Sequence, residues 1–222
     1  MSYPGGKNGA GVWQKIICQI PPHDIYIEPF GGSGAVLRRK RPARLNIFVD
    51  HSLDVVECFN YRIPGELKKV HGDGIEFLAS YDWQGREFIY CDPPYLIETR
   101  RSKAPIYDYE FREAQHEQLL KILVKLPAKV MISGYASTLY ADYLNDWQGL
   151  TFQAMTRGGP ATEYLWMNYY PPVKLHDYRF LGANRTERQR IKRKAASFIR
   201  KLERLPILER QAILAAIQSL DE

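Results

Sequence analysis

The sequence predicts an α/β protein built on a mostly parallel sheet flanked by helices. Three observations carry that expectation. Between residue 24 and about residue 170, short β-type runs alternate with helical patterns, the signature of strands joined by helical crossovers. Leu45–Val49 is a run apolar at all positions but Asn46, as expected of a strand buried on both faces. A glycine-rich segment, Gly31-Gly32-Ser33-Gly34, follows the first strand where a helix is due to begin.

Taken in order, Asp24–Ile27 is a strand that ends in Glu28-Pro29, and Gly34–Arg41 is a helix. Leu45–Val49 is the second strand and Asp54–Tyr61 the next helix. Val70 and His71 close a short strand, Gly74–Ser80 is a short helix, and Glu87–Cys91 is a strand. Arg112–Leu126 is helical, with Leu119, Leu120, Leu123 and Leu126 on one side. Lys129–Ser133 is a strand and Ser137–Leu144 a helix. Two β-rich runs, Leu150–Met155 and Tyr164–Tyr169, are expected to close the sheet as an antiparallel edge hairpin. Pro171-Pro172 then marks a boundary, dividing a domain of residues 1–172 from an extension of residues 173–222. In the extension, Thr186–Arg204 is a basic helix. Pro206 opens another, because proline is tolerated in the first turn. Ile207, Ile213, Leu214, Ile217 and Leu220 give that last helix an apolar stripe.

The chain has 222 residues, 45% of them hydrophobic and 25% charged. That composition supports a real core and argues against disorder. The net charge is +6, and it is unevenly placed. Between Gly182 and Arg210 there are ten Lys/Arg against three Asp/Glu, so this stretch holds all the excess. A clustered basic surface attracts phosphate backbones; a solvated helix face is the plainer alternative. Cys18, Cys58 and Cys91 are odd in number and lack CxxC spacing, so neither a disulfide framework nor a zinc site is expected. No metal-ligand spacing is present, and none is expected to bind. The first residues do not read as a signal peptide, and no run of about 18 apolar residues suggests a membrane span. A cytoplasmic protein is expected, as a monomer or weak dimer.

Four signals occur in one order. Tyr3-Pro4-Gly5-Gly6-Lys7 places two glycines, which admit close backbone approach, before a lysine suited to an anionic group. Read alone, it is more often a flexible tail. Glu28-Pro29-Phe30-Gly31-Gly32-Ser33-Gly34 follows a strand and precedes a predicted helix, a turn that lets a cofactor near the backbone. It is neither a Walker loop nor a GxGxxG dinucleotide turn. Asp50 ends the second strand, where α/β folds bind ribose hydroxyls. Asp73, in His71-Gly72-Asp73-Gly74, follows the third strand and can accept from an adenine amino group. Either acid alone also suits a helix cap or turn.

Asp92-Pro93-Pro94-Tyr95, directly after the strand Phe88-Ile89-Tyr90-Cys91, is the most specific signal. Two prolines remove both backbone donors and leave an acceptor-lined turn at the carboxyl end of a strand, where open sheets bind ligands. An aromatic exocyclic amine is a poor nucleophile because its lone pair is delocalised. The Asp92 carboxylate and Pro93 carbonyl can accept its two N–H groups and localise that pair, an example of electrostatic preorganisation. Tyr95 can stack on a base, which must be flipped from a duplex to arrive there.

In this order the motifs resemble the Dam-like DNA adenine-N6 methyltransferases, over roughly residues 1–170. Tyr3, Gly5, Gly6 and Lys7 are similar to that family's N-terminal cofactor motif. Glu28, Pro29, Phe30, Gly31, Gly32 and Gly34 are similar to its loop around the donor's methionine part. Asp50 matches the ribose-binding acid, Asp73 with Gly74 the adenine-contacting turn, and Asp92, Pro93, Pro94 and Tyr95 the catalytic tetrapeptide. Tyr109-Glu110-Phe111 through His116 to Leu119 resembles the segment that follows. The resemblance implies the Rossmann-like class I methyltransferase fold, a seven-stranded sheet with one antiparallel edge strand. It also implies S-adenosylmethionine as methyl donor and adenine in double-stranded DNA as substrate.

The chain departs from many relatives in one respect. Only 64 residues separate Glu28 from Asp92, too few for a large target-recognition insert. Contacts to DNA are therefore expected from Arg100, Arg101 and Lys103 after the tetrapeptide, from Arg157 in Thr156–Thr162, and from Arg188, Lys192 and Arg193 in the basic helix. Arginine reads guanine bidentately, while phosphate contacts only position a protein. The compact chain leaves little room for a nuclease domain, and a solitary or phage-borne modification enzyme, with or without a restriction partner, is the expectation. Cytosine-amine and glutamine enzymes generally begin the tetrapeptide with Ser or Asn, against Asp92 here. An RNA base-amine methyltransferase and a non-catalytic DNA-binding module are the remaining alternatives, and the terminal hairpin also suits a protein contact.

Overall fold

The computed structural model of the chain describes residues 7–9, 11–100, 104, 109–156 and 159–221. Helix α1 (Val12–Ile17) precedes strand β1 (Ile25–Glu28) and β2 (Leu45–Asp50). Next come α2 (Leu53–Cys58), β3 (Glu66–His71), α3 (Gly74–Ser80) and β4 (Glu87–Cys91). A 3-10 turn at Ile97–Thr99 leads to α4 (Glu113–Leu123), β5 (Lys129–Gly134) and α5 (Thr138–Tyr143). Strands β6 (Gln148–Thr156) and β7 (Gly159–Met167) are followed by α6 (Arg185–Glu203), α7 (Ile207–Gln218) and a last 3-10 turn. None of these helices is long and apolar enough to cross a membrane.

The strands form one seven-stranded sheet in the order β3-β2-β1-β4-β5-β7-β6. All neighbouring pairs from β3 to β5 are parallel. Strand β7 runs antiparallel to both β5 and β6. This is the class I methyltransferase architecture, with one correction: the reversed strand lies next to the edge, and β6 forms the edge outside it. The other edge, β3, exposes Glu66, Lys68, Lys69 and His71, and charge there resists pairing with another chain.

Every residue of β1 and β4 is buried, as expected of strands covered on both faces, and each strand carries one buried glutamate at an end, Glu28 and Glu87. On one face, Ile27, Ile47, Ile89 and Val130 pack with Ile75 and Leu78 of α3 and with Leu119, Leu120 and Leu123 of α4. Complete burial of each such leucine stabilises the fold by roughly 1.5–3 kcal/mol.

Three local expectations differ from the structure. Gly34–Arg41 forms successive turns and no α-helix. Gly34 opens the segment at φ +58°, and the Leu37 N–H donates to Glu28 Oε1 at 2.9 Å instead of to the backbone. Only isolated helical bonds survive, such as Arg38 N–H to Gly34 O. Helix α2 stops at Cys58, and Phe59 turns in to stack on Phe48 with centroids 4.1 Å apart. Helix α1 lies where no regular element was expected.

The chain divides into two compact units, the first ending at Tyr178 and the second beginning at Arg179. Residues 173–178 stay with the sheet because polar bonds hold them. His176 N–H donates to Ile20 O at 2.9 Å, and Asp177 Oδ2 accepts the Arg41 N–H at 2.8 Å. The second unit consists of α6 and α7. Asn184 caps α6 by accepting the Glu187 N–H at 2.9 Å. Neither helix has a buried residue, and Phe198, Ile199, Ile207, Leu208 and Leu220 are exposed.

Beneath β1 lies a buried polar group. Glu28, 3% exposed, accepts from Tyr26 Oη at 2.6 Å and from Leu37 N. Burial raises its pKa from 4.5 to about 7, against the lowering effect of those two bonds and of Lys40. Lys40 donates to Arg41 O at 3.0 Å and lies over the Tyr26 ring, and burial lowers its pKa to about 7. Native Glu28 therefore holds a proton that the unfolded chain has released between pH 4.5 and about 7. Stability contributed by this group falls as pH rises through that window. Glu28→Gln keeps an acceptor for both donors and removes the titration. Its melting temperature relative to the parent should therefore be higher at about pH 7 than at about pH 5. A difference that does not change with pH contradicts this assignment.

Candidate active site

Parallel strands deliver their following loops to one end of the sheet. Strand order reverses at β1, whose neighbours are β2 and β4, and such a switch point opens a crevice outside the carboxyl ends. A cleft of about 270 Å³ lies there. It is lined by residues 28–33 after β1, Asp50 to Ser52 after β2, Asp73 and Gly74 after β3, and Asp92 to Pro94 after β4. Tyr109, Glu110, Phe111 and Lys7 complete the wall. The sequence-predicted residues Glu28, Pro29, Phe30, Gly31, Gly32, Asp50, Asp73 and Gly74 are thus brought together. Gly34 is not among the lining residues and packs against the Phe59 ring. Tyr3, Gly5 and Gly6 lie outside the described residues.

The loop after β1 is shaped by close packing and by Asp50. A Cβ on Gly31 would collide with the Phe48 ring, and one on Gly74 with the Pro29 carbonyl. Asp50 Oδ2 accepts the Gly32 N–H at 2.7 Å and Oδ1 accepts the Ser52 N–H at 2.9 Å. The carboxylate read as a ribose acceptor therefore also fastens the glycine turn. Burial raises its pKa. Asp73 caps α3, its Oδ1 accepting from Ile75 N at 2.7 Å and Glu76 N at 3.0 Å. Its Oδ2 has no hydrogen bond among the described residues. Aromatic edges face the cleft from both sides: Phe30 meets Phe111 edge-on at 5.3 Å, and His51 meets Tyr109 at 4.3 Å.

Asp92 is held at one oxygen. Oδ1 accepts from Ser133 Oγ at 2.7 Å and from Lys7 Nζ at 2.6 Å. Since the serine proton goes to Asp92, the Tyr90 hydroxyl must donate to Ser133 Oγ, 3.2 Å away. Asp92 Oδ2 and the Pro93 carbonyl accept no hydrogen bond among the described residues. Lys7 was expected to face an anionic group such as a carboxylate; it lines the cleft and meets two protein carboxylates, Asp92 and Glu163, whose Oε2 is 3.6 Å from its Nζ.

Tyr95 is 8% exposed and is not among the residues lining the cleft. Its hydroxyl donates to Glu163 Oε2 at 2.8 Å, its ring lies under Lys7, and Tyr135 packs on it edge-on at 4.7 Å. Arg100 requires a correction. Expected on the surface to meet DNA, it is 7% exposed. Its Nη1 and Nη2 donate to the two Glu110 oxygens at 2.9 and 2.6 Å, and its Nε donates to the Tyr95 carbonyl. It clasps the Asp92–Tyr95 turn to the segment that follows. Arg101, Lys103 and Arg157 lie outside the described residues. On α6, Lys192 and Arg193 are exposed, while Arg188 is half-buried and donates to Gly182 O at 3.3 Å.

Sequence reasoning missed Glu163 and Ser133. Glu163 is 5% exposed yet sits in a strand whose neighbours Thr162 and Tyr164 are ordinary β-formers, so nothing in the pattern marks it. Among the described residues, no group of three or more His, Cys, Asp and Glu could hold a metal ion. His116, with its Nδ1 3.0 Å from Tyr140 Oη, has a pKa lowered to about 4 by burial and by Arg100, so it stays neutral.

Removing Glu163 leaves the Tyr95 hydroxyl buried without a partner, which costs about 1–3 kcal/mol. Glu163→Ala should lose that stability in chemical denaturation. The double variant Tyr95→Phe/Glu163→Ala should lose less than the sum of the singles, with a coupling of about 1 kcal/mol. Additive losses would show that the two side chains do not interact.

Comparison with known proteins adds the following. No curated protein matches the sequence. Among solved structures, a precorrin 8W decarboxylase of Methanobacterium thermoautotrophicum is similar at TM-score 0.49 and 12% identity, over 76% of this chain and 94% of that one. TrmK of M. capricolum, solved with S-adenosyl-homocysteine, gives TM-score 0.45 and 11% identity over 94% and 95%. Magnesium protoporphyrin IX methyltransferase of Synechocystis PCC 6803, with bound SAM, gives 0.45 and 13% over 72% and 76%. The family comparison spans α3 to the end of β6 and includes the tetrapeptide. The chain has the sheet of a class I methyltransferase, and its residues 75–157 match the D12 class N6 adenine-specific DNA methyltransferase family.

Proposed function

We propose that this protein transfers a methyl group from S-adenosylmethionine to the N6 amine of an adenine flipped out of double-stranded DNA. The observation that carries the proposal is the asymmetry of Asp92. One oxygen is fixed by Ser133 and Lys7, while the other, like the Pro93 carbonyl, accepts no hydrogen bond among the described residues, and both residues line the cleft. Two acceptors on consecutive residues suit an amine with two N–H groups. The family match, which covers these residues, supports the same reading.

The cleft fits the donor. Gly31 and Gly74 let the Phe48 ring and the Pro29 carbonyl pack closely and so shape the turns around the cleft, Asp50 and Asp73 supply carboxylates, and Phe30, Phe111 and Tyr109 supply aromatic walls. S-adenosylmethionine, when bound, supplies an electrophilic methyl group on a sulfonium. Asp50 and Asp73 then hold hydroxyl and amine groups, and residues 29–32 hold the amino-acid end. Asp92 Oδ2 and the Pro93 carbonyl accept the two N–H groups of the adenine amine and localise its lone pair. Ser133 and Lys7 fix the carboxylate, so catalysis is largely positioning. As the N–C bond replaces the donor's C–S bond and S-adenosylhomocysteine leaves, Asp92 Oδ2 is positioned by the same hydrogen bond to accept the proton the amine gives up. Lys192 and Arg193 on α6 neutralise backbone phosphates.

Purified protein incubated with labelled S-adenosylmethionine and adenine-modification-free DNA should yield N6-methyladenine on nucleoside analysis. Asp92→Ala should lower the rate at least about a hundredfold. Label appearing only in RNA, or no dependence on Asp92, would overturn the proposal. Lys192→Gln/Arg193→Gln should weaken DNA binding at every sequence and reduce the slope of log K against log salt by about 2. An unchanged slope removes α6 from the DNA-binding surface.

A further inference from the structure

Strand β5 pairs with β7 only from Met131↔Met167 to Gly134↔Tyr164. Pairing of β6 with β7 continues outward, from Phe152↔Glu163 to Thr156↔Gly159. Because β7 is antiparallel to β5, these extra pairs lie beyond the carboxyl end of β5. That is the end where Asp92 follows β4. The sheet therefore extends at the active-site end as a two-stranded ribbon of five residue pairs, roughly 15 Å long at the usual strand rise.

The two faces of the ribbon differ. Phe152, Ala154 and Glu163 are buried, with Lys15 of α1 over the Phe152 ring at 5.9 Å and Glu163 on Tyr95. The ribbon is thus anchored to the catalytic turn. The opposite face carries two cross-strand pairs, Gln153↔Thr162 and Met155↔Pro160, and all four residues are exposed. Gln153 Nε2 donates to Thr162 Oγ1 at 2.8 Å, and Met155 is 76% exposed. From Gln148 to Thr162 the sequence has no acidic residue and one arginine, Arg157, between the strands.

We infer that this ribbon enters a groove of the DNA duplex beside the flipped adenine, with Gln153 meeting a base edge and Met155 wedged against the stack. The inference rests on the adenine-methylation reading and names the element that reads the target. The major groove is about 12 Å wide and admits a two-stranded ribbon. A glutamine amide pairs with a base edge through a donor and an acceptor. An apolar side chain inserted at a base step offsets lost stacking when a base leaves the helix. The absence of acidic residues removes the repulsion that a phosphate-lined groove would otherwise exert, and Glu163 couples the ribbon's base to Tyr95.

The test uses the full chain and two surface variants, Met155→Ala and Gln153→Ala. Rates are measured on a plasmid, by mapping the methylated sites, and on an oligonucleotide duplex whose target adenine faces an abasic position. Met155→Ala should methylate the fully paired duplex roughly tenfold more slowly, with little change on the abasic duplex, where unstacking is easier. Gln153→Ala should relax the mapped preference at one base pair by roughly tenfold. If the parent methylates DNA and both variants match it in rate and mapped site, the ribbon assignment is wrong while the methylation reading stands. If the parent methylates no DNA, that reading fails and the ribbon assignment falls with it.

Discussion

Two donors hold a single oxygen of Asp92. The Ser133 hydroxyl comes from β5 and the Lys7 ammonium from the start of the chain. Much of the site follows from that arrangement. Ser133 is placed by the β4–β5 pairing and oriented by Tyr90. Lys7 is shared with Glu163, which in turn fixes Tyr95. Arg100 then ties the Tyr95 carbonyl to Glu110. A carboxylate held on one side only is oriented and still has acceptor capacity, which a fully paired one would lack. Buried charges of this kind are costly unless paired, and here each has a partner on another strand or loop.

The strands were the most legible part of the fold. Those buried on both faces are mostly apolar, so Leu45–Asp50 and Glu87–Cys91 announce themselves despite Asn46, Asp50 and Glu87. Helices were legible where apolar spacing was long, as in α4. Gly34–Arg41 misled because its composition suits a helix, and the competing bond is supplied by Glu28, a residue outside the segment. Propensity cannot see such a partner. The reversed order of the last two strands was likewise invisible, since pairing within a hairpin does not say which strand faces the sheet.

The tetrapeptide was legible because its residue types are chemically unusual together. Its supports were not. Arg100 in a basic loop reads as a solvent-facing charge, and the Glu110 carboxylate, ten residues on, together with the Tyr95 carbonyl holds it inward. Ser133 and Glu163 are single polar residues in β-rich runs, and their partners lie 41 and 68 positions away. Long-range pairing of this kind follows from sheet order, which a local pattern does not encode.

Lys7 and Asp92 are 85 residues apart, and Lys7 and Glu163 lie further apart still. Contacts of such separation carry a large loop-closure entropy and tend to form late. Asp92 follows β4 and Glu163 arrives only with β7, so both carboxylates reach Lys7 long after it has been made. As the chain emerges from synthesis, the first lysine of the sequence must wait for nearly the whole sheet. The Asp92 carboxylate is then among the last groups to gain its partners, so that a chain in which Asp92, Lys7 and Glu163 have met is one whose sheet is already complete.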